Sequence, residues 1–452
     1  MTISESAKNQ ASAAAPPAPA RPSSAVAWFG VGVLVLAFVS SIADRIIIAL
    51  LVDPIKADLN LSDTQMGFMM GLAFAVFYAL MGLPIGRMAD QYSRRFIIGC
   101  GIFLWSIMTA LCGLARSFTE LFLARVGVGI GQATLSPAAY SMIADYFPKD
   151  KLGRALGVYQ SGAFFGIGLA LIFGGLAIRF AATADDIRLP LIGVVAGWQL
   201  AFIAVGLPGI LIAALMFLVK EPARQGVSPA AASGISLGEA VGWAWARRRV
   251  FLAHYTGFAL LALPMTTLAT WVPTYFMRVV GLTPPETGLK LGLIVFICAP
   301  VGVVAGGWLA DTLFRGGRTD AALRVAVLAA AIMTPLSILA TTVADPVWAL
   351  VLAAPFAFGA SISMGLAPTA LQLVTPNRLR AQVSAAWMLF LNIITAGLGP
   401  TAVGWINDAV FGDPLAVGQS IAVVNTLSVV IGGLLLWSTW KPFRAEVERA
   451  DA

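Results

Sequence analysis

Three charged side chains stand inside long apolar runs of the sequence, where charge is costly: Asp44, Arg45 and Arg125. A charge at mid-bilayer depth costs at least about 2.5–3.5 kcal/mol on insertion scales, so such residues usually pair and usually work. An acid there can carry a proton, and an arginine can hold an anionic head group. Asp44 and Arg45 are adjacent on one helix and point about 100° apart, so they do not face a common partner. Arg125 lies nearer the end of its own apolar run, where a long side chain can also reach toward water. Gln132 follows Arg125 by seven residues, about two helical turns, and shares its face. A buried carboxylate holds a proton more readily than a free one, so Asp44 is expected to take up a proton and free Arg45 or Arg125, then lose it and re-form the ion pair. The structural alternatives are an ion pair between two helices and, for Arg125, a side chain extended to the membrane surface.

The elements that must hold these residues follow from composition. The 452 residues are 59% hydrophobic and only 11% charged, with mean hydropathy +0.87. A soluble domain of this size carries about a quarter charged residues, so most of this surface meets something other than water. Twelve segments are long and apolar enough to span roughly 30 Å of hydrocarbon. They run over 27–52, 64–88, 95–116, 119–144, 152–180, 197–219, 250–277, 287–311, 321–342, 346–374, 381–406 and 417–440. The expected fold is therefore an all-α integral membrane protein of two six-helix halves, residues 25–220 and 250–441. A Pro- and Ala-rich tail (1–24), a linker (221–249) and a second tail (442–452) complete the chain.

Of the 29 Lys and Arg residues, roughly 21 fall on the inner side when the N-terminus is placed in the cytoplasm, against about 6 outside. Both termini are then cytoplasmic, in a cell (inner) membrane. The net charge of +7 is spread among these loops and forms no nucleic-acid patch. One His and three Cys (Cys100, Cys112, Cys298) leave little for metal sites or His-based catalysis, so neither a cofactor nor an enzymatic reaction is expected. His254 reads as a structural or interfacial histidine.

The halves repeat one another. Gly86-Arg87-Met88-Ala89-Asp90 after the second span is echoed by Gly307-Trp308-Leu309-Ala310-Asp311 after the eighth, and Ser136-Pro137-Ala138 by Ala367-Pro368-Thr369. Two pairs at nearly one offset argue for duplication about an axis along the membrane normal.

Gly86 through Arg95 resembles the cytoplasmic signature of the major facilitator superfamily, and the resemblance extends over the whole membrane region. Arg94 and Arg95 are expected to hold this loop in the cytoplasm, and Asp90, Asp145 and Arg154 to join a charge network there. Asp44-Arg45, the QYSRR ending, Glu221-Pro222, Trp271-Val272-Pro273-Thr274-Tyr275 and Thr375-Pro376-Asn377-Arg378-Leu379-Arg380 are together similar to the Spinster-type branch. That resemblance implies proton-linked transport of lysolipids, sphingoid-base phosphates or similar amphiphiles by a monomer. Its partners would be the substrate, protons and the lipid bilayer. A symporter of small organic or aromatic acids is the alternative. A membrane enzyme acting on lipids and a transport-inactive sensor are disfavoured, since clustered His or carboxylates and a signalling domain are both missing from the sequence.

At position 132 the chain departs from this pattern, in which a Glu follows the arginine of the fourth span. The amide either leaves Asp44 as the sole acid of the N-half, or is a substitution that mimics a protonated carboxyl, or simply packs. The second half shows no interior acid. It offers Thr266, Thr267, Thr270, Trp271 and Tyr275 on the seventh span, Gln372 on the tenth and Asn392 on the eleventh. Trp271, Tyr275 and Asn392 are candidates for the substrate wall, and the two aromatics equally for the outer membrane interface.

Overall fold

In the computed structural model, residues 21–182, 188–189, 193–224, 237–376 and 379–451 are described. The expected tail over 1–20, the stretch 225–236 of the linker, and Asn377-Arg378 lie outside them. Within the described residues the chain is helices joined by short loops, and the only strands form one two-residue antiparallel pair, Arg188–Leu189 with Gly193–Val194, between the fifth and sixth spans.

Among the described residues, eleven helices are long and apolar enough to cross a membrane. They coincide with all the expected spans except the fourth, which is split into Phe118–Gln132 and Leu135–Tyr146. Pro137 lies in the first turn of the second piece, and a proline there supplies no backbone N–H to the turn before it. Other central spans break as well. The first tightens to a 3-10 turn at Ile47–Leu50, the second bends at Gly71, and the seventh divides at Trp271. The eleventh opens into π-helix over Ile393–Leu398. Such irregular turns recur where side chains or partner backbones must be re-aimed. Two further helices, Leu237–Ala246 in the expected linker and Trp440–Asp451 in the expected C-terminal tail, extend the inner face.

The halves meet along two seams, the second span with the eleventh and the fifth with the eighth. On the outer side both are closed to backbone contact. A Cβ on Gly67 would come within 2.6 Å of the Pro400 carbonyl, and one on Gly168 within 2.8 Å of the Gly292 carbonyl. Only glycine permits that approach. Toward the inner face the seams part. Phe165 and Phe296 still touch, with centroids 4.8 Å apart, but around Gly86, Gly157 and Gly307 nothing beyond their own helix backbone lies within 4 Å of where a side chain would begin. The seams are thus tightest at the end that carries Asp63 and Asp408, which the expected topology places outside, and looser toward the end that carries Gly86 and Gly307.

Candidate functional site

Asp44 and Arg45 sit on the last turn of the first span, just before its 3-10 segment. There the backbone hydrogen-bond step shortens, and the Asp44 carbonyl accepts a 2.8 Å bond from Arg125 Nη1 of the fourth span. The Arg125 side chain is fully buried, and its Nε and Nη2 have no partner. The Asp44 side chain is equally buried, and neither carboxylate oxygen has a hydrogen-bond partner. Arg125, Arg45 and the Thr109 hydroxyl are the groups that act on it. Arg125 therefore holds the backbone of Asp44, not its carboxylate. The carboxylate is a buried acid beside two guanidinium groups with no fixed ion pair.

Arg45 points elsewhere, as adjacent helical positions require. Its Nε donates 2.6 Å to Gln132 Oε1, while Gln132 Nε2 donates 3.1 Å to the Ser41 carbonyl. Gln132 is the last residue before the break in the fourth span, so both ends of its amide tie that span to the first. Close packing holds the span in place: a Cβ on Gly129 would meet the Phe74 carbonyl at 2.8 Å, and one on Gly131 the Trp105 backbone at 2.8 Å. The Arg45 guanidinium lies over Phe74, 4.2 Å from the ring centroid, and 5.1 Å from that of Tyr78. It remains partly exposed, as do Tyr78, Ser136 and Tyr140 beside it. Tyr78 Oη is 3.5 Å from Ser136 Oγ, and the buried Tyr159 hydroxyl is unpartnered. The result is a cation above aromatic faces with hydroxyls around it, a surface that can take up an organic anion.

The C-half residues behave differently. Trp271 and Tyr275 are fully buried and not interfacial. Trp271 Nε1 donates 2.8 Å to the Pro400 carbonyl, and the Tyr275 hydroxyl donates to the Val343 carbonyl. Both lock the broken seventh span to its neighbours within the C-half, so neither presents a face to substrate in this state. Asn392 Nδ2 bonds 2.8 Å to Met388 O of its own helix and is partly exposed. Thr267 joins Asn425 at 3.0 Å, and Thr270 bonds back to Thr266. His254 is buried among Tyr255, Phe258 and Trp387, with neither ring nitrogen partnered.

On the inner face Arg94 is not a solvated loop cation. It is 1% exposed and forms the hub of a clamp. Its Nη1 reaches Asp145 and, at 2.9 Å, Ser141, its Nε pairs with Glu221 at 3.3 Å, and its Nη2 donates 2.9 Å to the Pro222 carbonyl. Burial alone would raise the Glu221 pKa. Hydrogen bonds from the Ser93 hydroxyl and from the Arg94 backbone and side chain outweigh it and hold the carboxyl below its ordinary value. Arg95 reaches the Phe217 and Val219 carbonyls at 3.4 Å. Arg154 is exposed, its guanidinium 5.7 Å from the Trp28 ring. The second carboxylate of the clamp, Glu221, was legible in the sequence only as part of the Glu221-Pro222 pair. Gly86 has open space where a side chain would begin, and the Asp90 side chain lies outside the described residues. In the repeat copy Asp311 is exposed and its carbonyl accepts from Arg315.

The profile of the Major Facilitator Superfamily matches residues 33–400. An "MFS-type efflux pump" of Mycolicibacterium smegmatis is 31% identical over 425 residues, 93% of this chain and 94% of that protein. The "Probable galactarate/D-glucarate transporter GudP" of Bacillus subtilis is 25% identical over 442 residues, covering 91% and 93%. A crystal structure of a bacterial homolog to the human lysosomal transporter Spinster, inward-facing and unoccupied, superposes with a TM-score of 0.77 at 27% identity, covering 94% of this chain and 98% of that one.

Proposed function

This chain belongs to the major facilitator superfamily, a Spinster-like transporter and not an enzyme, and on that premise we propose that it moves an organic anion across the inner membrane with a proton carried by Asp44. The single observation that supports this reading is the separation of roles at the end of the first span. Arg45 is held by a neutral amide and partly exposed, ready for an anion. Asp44 is buried, unpartnered and able to alternate between charged and neutral forms beside Arg125. Proton binding at Asp44 changes the net charge felt by both guanidinium groups. Each then has a different affinity for an anion in the two protonation states, which is what coupling requires. Orientation follows the basic loops, with both termini inside.

The favoured cargo is an amphiphile with an anionic head, docked at Arg45. It is the cargo that the resemblance to the Spinster-type branch implies. A small hydroxy acid is the second reading, favoured by the hydroxyls of Tyr78, Ser136 and Tyr140 around Arg45 and by the galactarate-type relative. Proteoliposomes loaded at one pH and diluted into another decide between them, with labelled lysophospholipid and labelled galactarate followed in parallel. Gradient-dependent movement of the lipid alone supports the first reading, and of galactarate alone the second. Movement that ignores the gradient for whichever substrate is carried would remove the proton from the account.

A further inference from the structure

On the outer face, charges from the two halves interlock at a place remote from the Arg45 site. Arg278, at the end of the seventh span, bonds Asp63 with two nitrogens, Nη1 to Oδ2 at 2.8 Å and Nη2 to Oδ1 at 2.9 Å. The same guanidinium grips Asp53, with Nη2 2.6 Å from Oδ1 and Nε donating at 2.8 Å. A bidentate arginine on one carboxylate and a second carboxylate on its edge is among the stronger polar arrangements a protein makes. The Asp63 side chain is 1% exposed and that of Arg278 6%. Asp63 also accepts from Lys56 at 2.5 Å and from Asn407 of the C-half at 2.7 Å. Beside it, Asp408 of the C-half accepts from the backbone N–H groups of Asp63 (3.2 Å) and Thr64 (2.6 Å) and from the Thr64 hydroxyl (2.6 Å). It thus supplements Ser62, the cap of helix Asp63–Met70, from the other half of the molecule.

Every bond of Arg278 and Asp408 to Asp53, Asp63 and Thr64 crosses between halves. Inside the halves nothing comparable depends on these residues beyond a 3.3 Å contact of Arg278 with the Pro414 carbonyl. Elsewhere the outer seam closes on glycine backbone contacts and two long hydrogen bonds, from Thr401 Oγ1 to the Gly67 carbonyl and from Thr274 Oγ1 to the Ala49 carbonyl, each 3.4 Å. We propose that Arg278, seconded by Asp408, is the outer latch of the transport cycle: its grip on Asp63 and Asp53 sets the inward-facing state as the resting one and is released each time the outer side opens. The inference rests on the alternating-access reading above, but it concerns the balance between the two states and not what is carried.

Nitroxide pairs report that balance directly, in a background with Cys100, Cys112 and Cys298 replaced by Ala. One pair across the outer face (Arg116→Cys with Ala344→Cys) and one across the inner face (Gln91→Cys with Arg315→Cys) give distances by pulsed electron resonance in nanodiscs. Arg278→Gln should lengthen the outer distance and shorten the inner one, raising the outward-to-inward ratio by about tenfold or more. Arg278→Lys should move it less, because one carboxylate can still be held. Asp408→Asn should shift it in the same direction, and decides the matter if Arg278→Gln does not fold. Unchanged distributions in Arg278→Gln and Asp408→Asn, while the unmodified protein still samples two states, would overturn the latch. A single fixed distribution in every variant and at every pH would instead overturn alternating access.

Discussion

The two halves share a fold and, at their inner ends, a sequence motif, yet their interiors are built from different materials. In the N-half, Asp44, Arg45, Arg125 and Gln132 are joined between the first and fourth spans by bonds to backbone and amide. The corresponding depth of the C-half holds Trp271, Tyr275, Thr267 and Asn425, neutral groups bonded to carbonyls and to each other. The inner ends differ too. Arg94 is a buried hub in the first half, whereas the second-half counterpart region leaves Asp311 and Arg315 exposed. Among these residues, the interior acid and arginines stand in the N-half. Charges inside a membrane are expensive, and in the proposed function the N-half carries the coupling while the C-half supplies a wall.

The largest expected effect is on the N-half. Asp44→Asn should abolish dependence on a pH gradient, leaving at most downhill movement, as read by transport with and without the gradient. Arg45→Ala comes next. Loss of a charged partner for an anion is worth about 2 kcal/mol or more, so half-saturation should rise roughly thirtyfold. Arg94→Gln removes the buried cation that Asp145 and Glu221 share. It should lower stability by about 3 kcal/mol, seen as a fall in the unfolding temperature in detergent, while Arg315→Gln should change it by a few tenths at most.

Glu221 gives the same contrast a pH dependence. Its pKa is depressed in the fold, so its contribution is complete above the ordinary glutamate value near pH 4.3 and is lost as pH falls toward the folded-state value. Glu221→Gln should therefore flatten the acid side of the stability profile and leave neutral transport largely intact. Smallest is the C-half: Thr267→Val should cost about 1 kcal/mol of stability through its bond to Asn425 with no change in gradient dependence. A C-half substitution that altered proton coupling would break the comparison.

Much of this was legible beforehand. Twelve spans follow from apolar length alone, eleven of them continuous helices among the described residues and the fourth split in two, and the charged trio follows from its misplacement in apolar runs. What the sequence could not show was aim. Adjacent positions diverge on a helix, so Asp44 and Arg45 part company, but only the fold reveals that Arg125 takes the Asp44 carbonyl and not its carboxylate. The break after Gln132 depends on Pro137 acting in a packed bundle. Trp271 and Tyr275 look like interface anchors by type, yet the division of the seventh span turns both inward. The outer latch was invisible because Asp53, Asp63, Arg278 and Asp408 are ordinary span-end charges until the halves bring them within bonding distance.

The central claim is that one carboxylate, Asp44, takes up the coupling proton. Infrared difference spectroscopy of the reconstituted protein across a pH jump tests it without knowledge of the substrate, since a buried protonated carboxyl has its own carbonyl stretch. The account predicts one such band in the protein as it stands, its loss in Asp44→Asn, and a second band in Gln132→Glu. Persistence of the band in Asp44→Asn would contradict it.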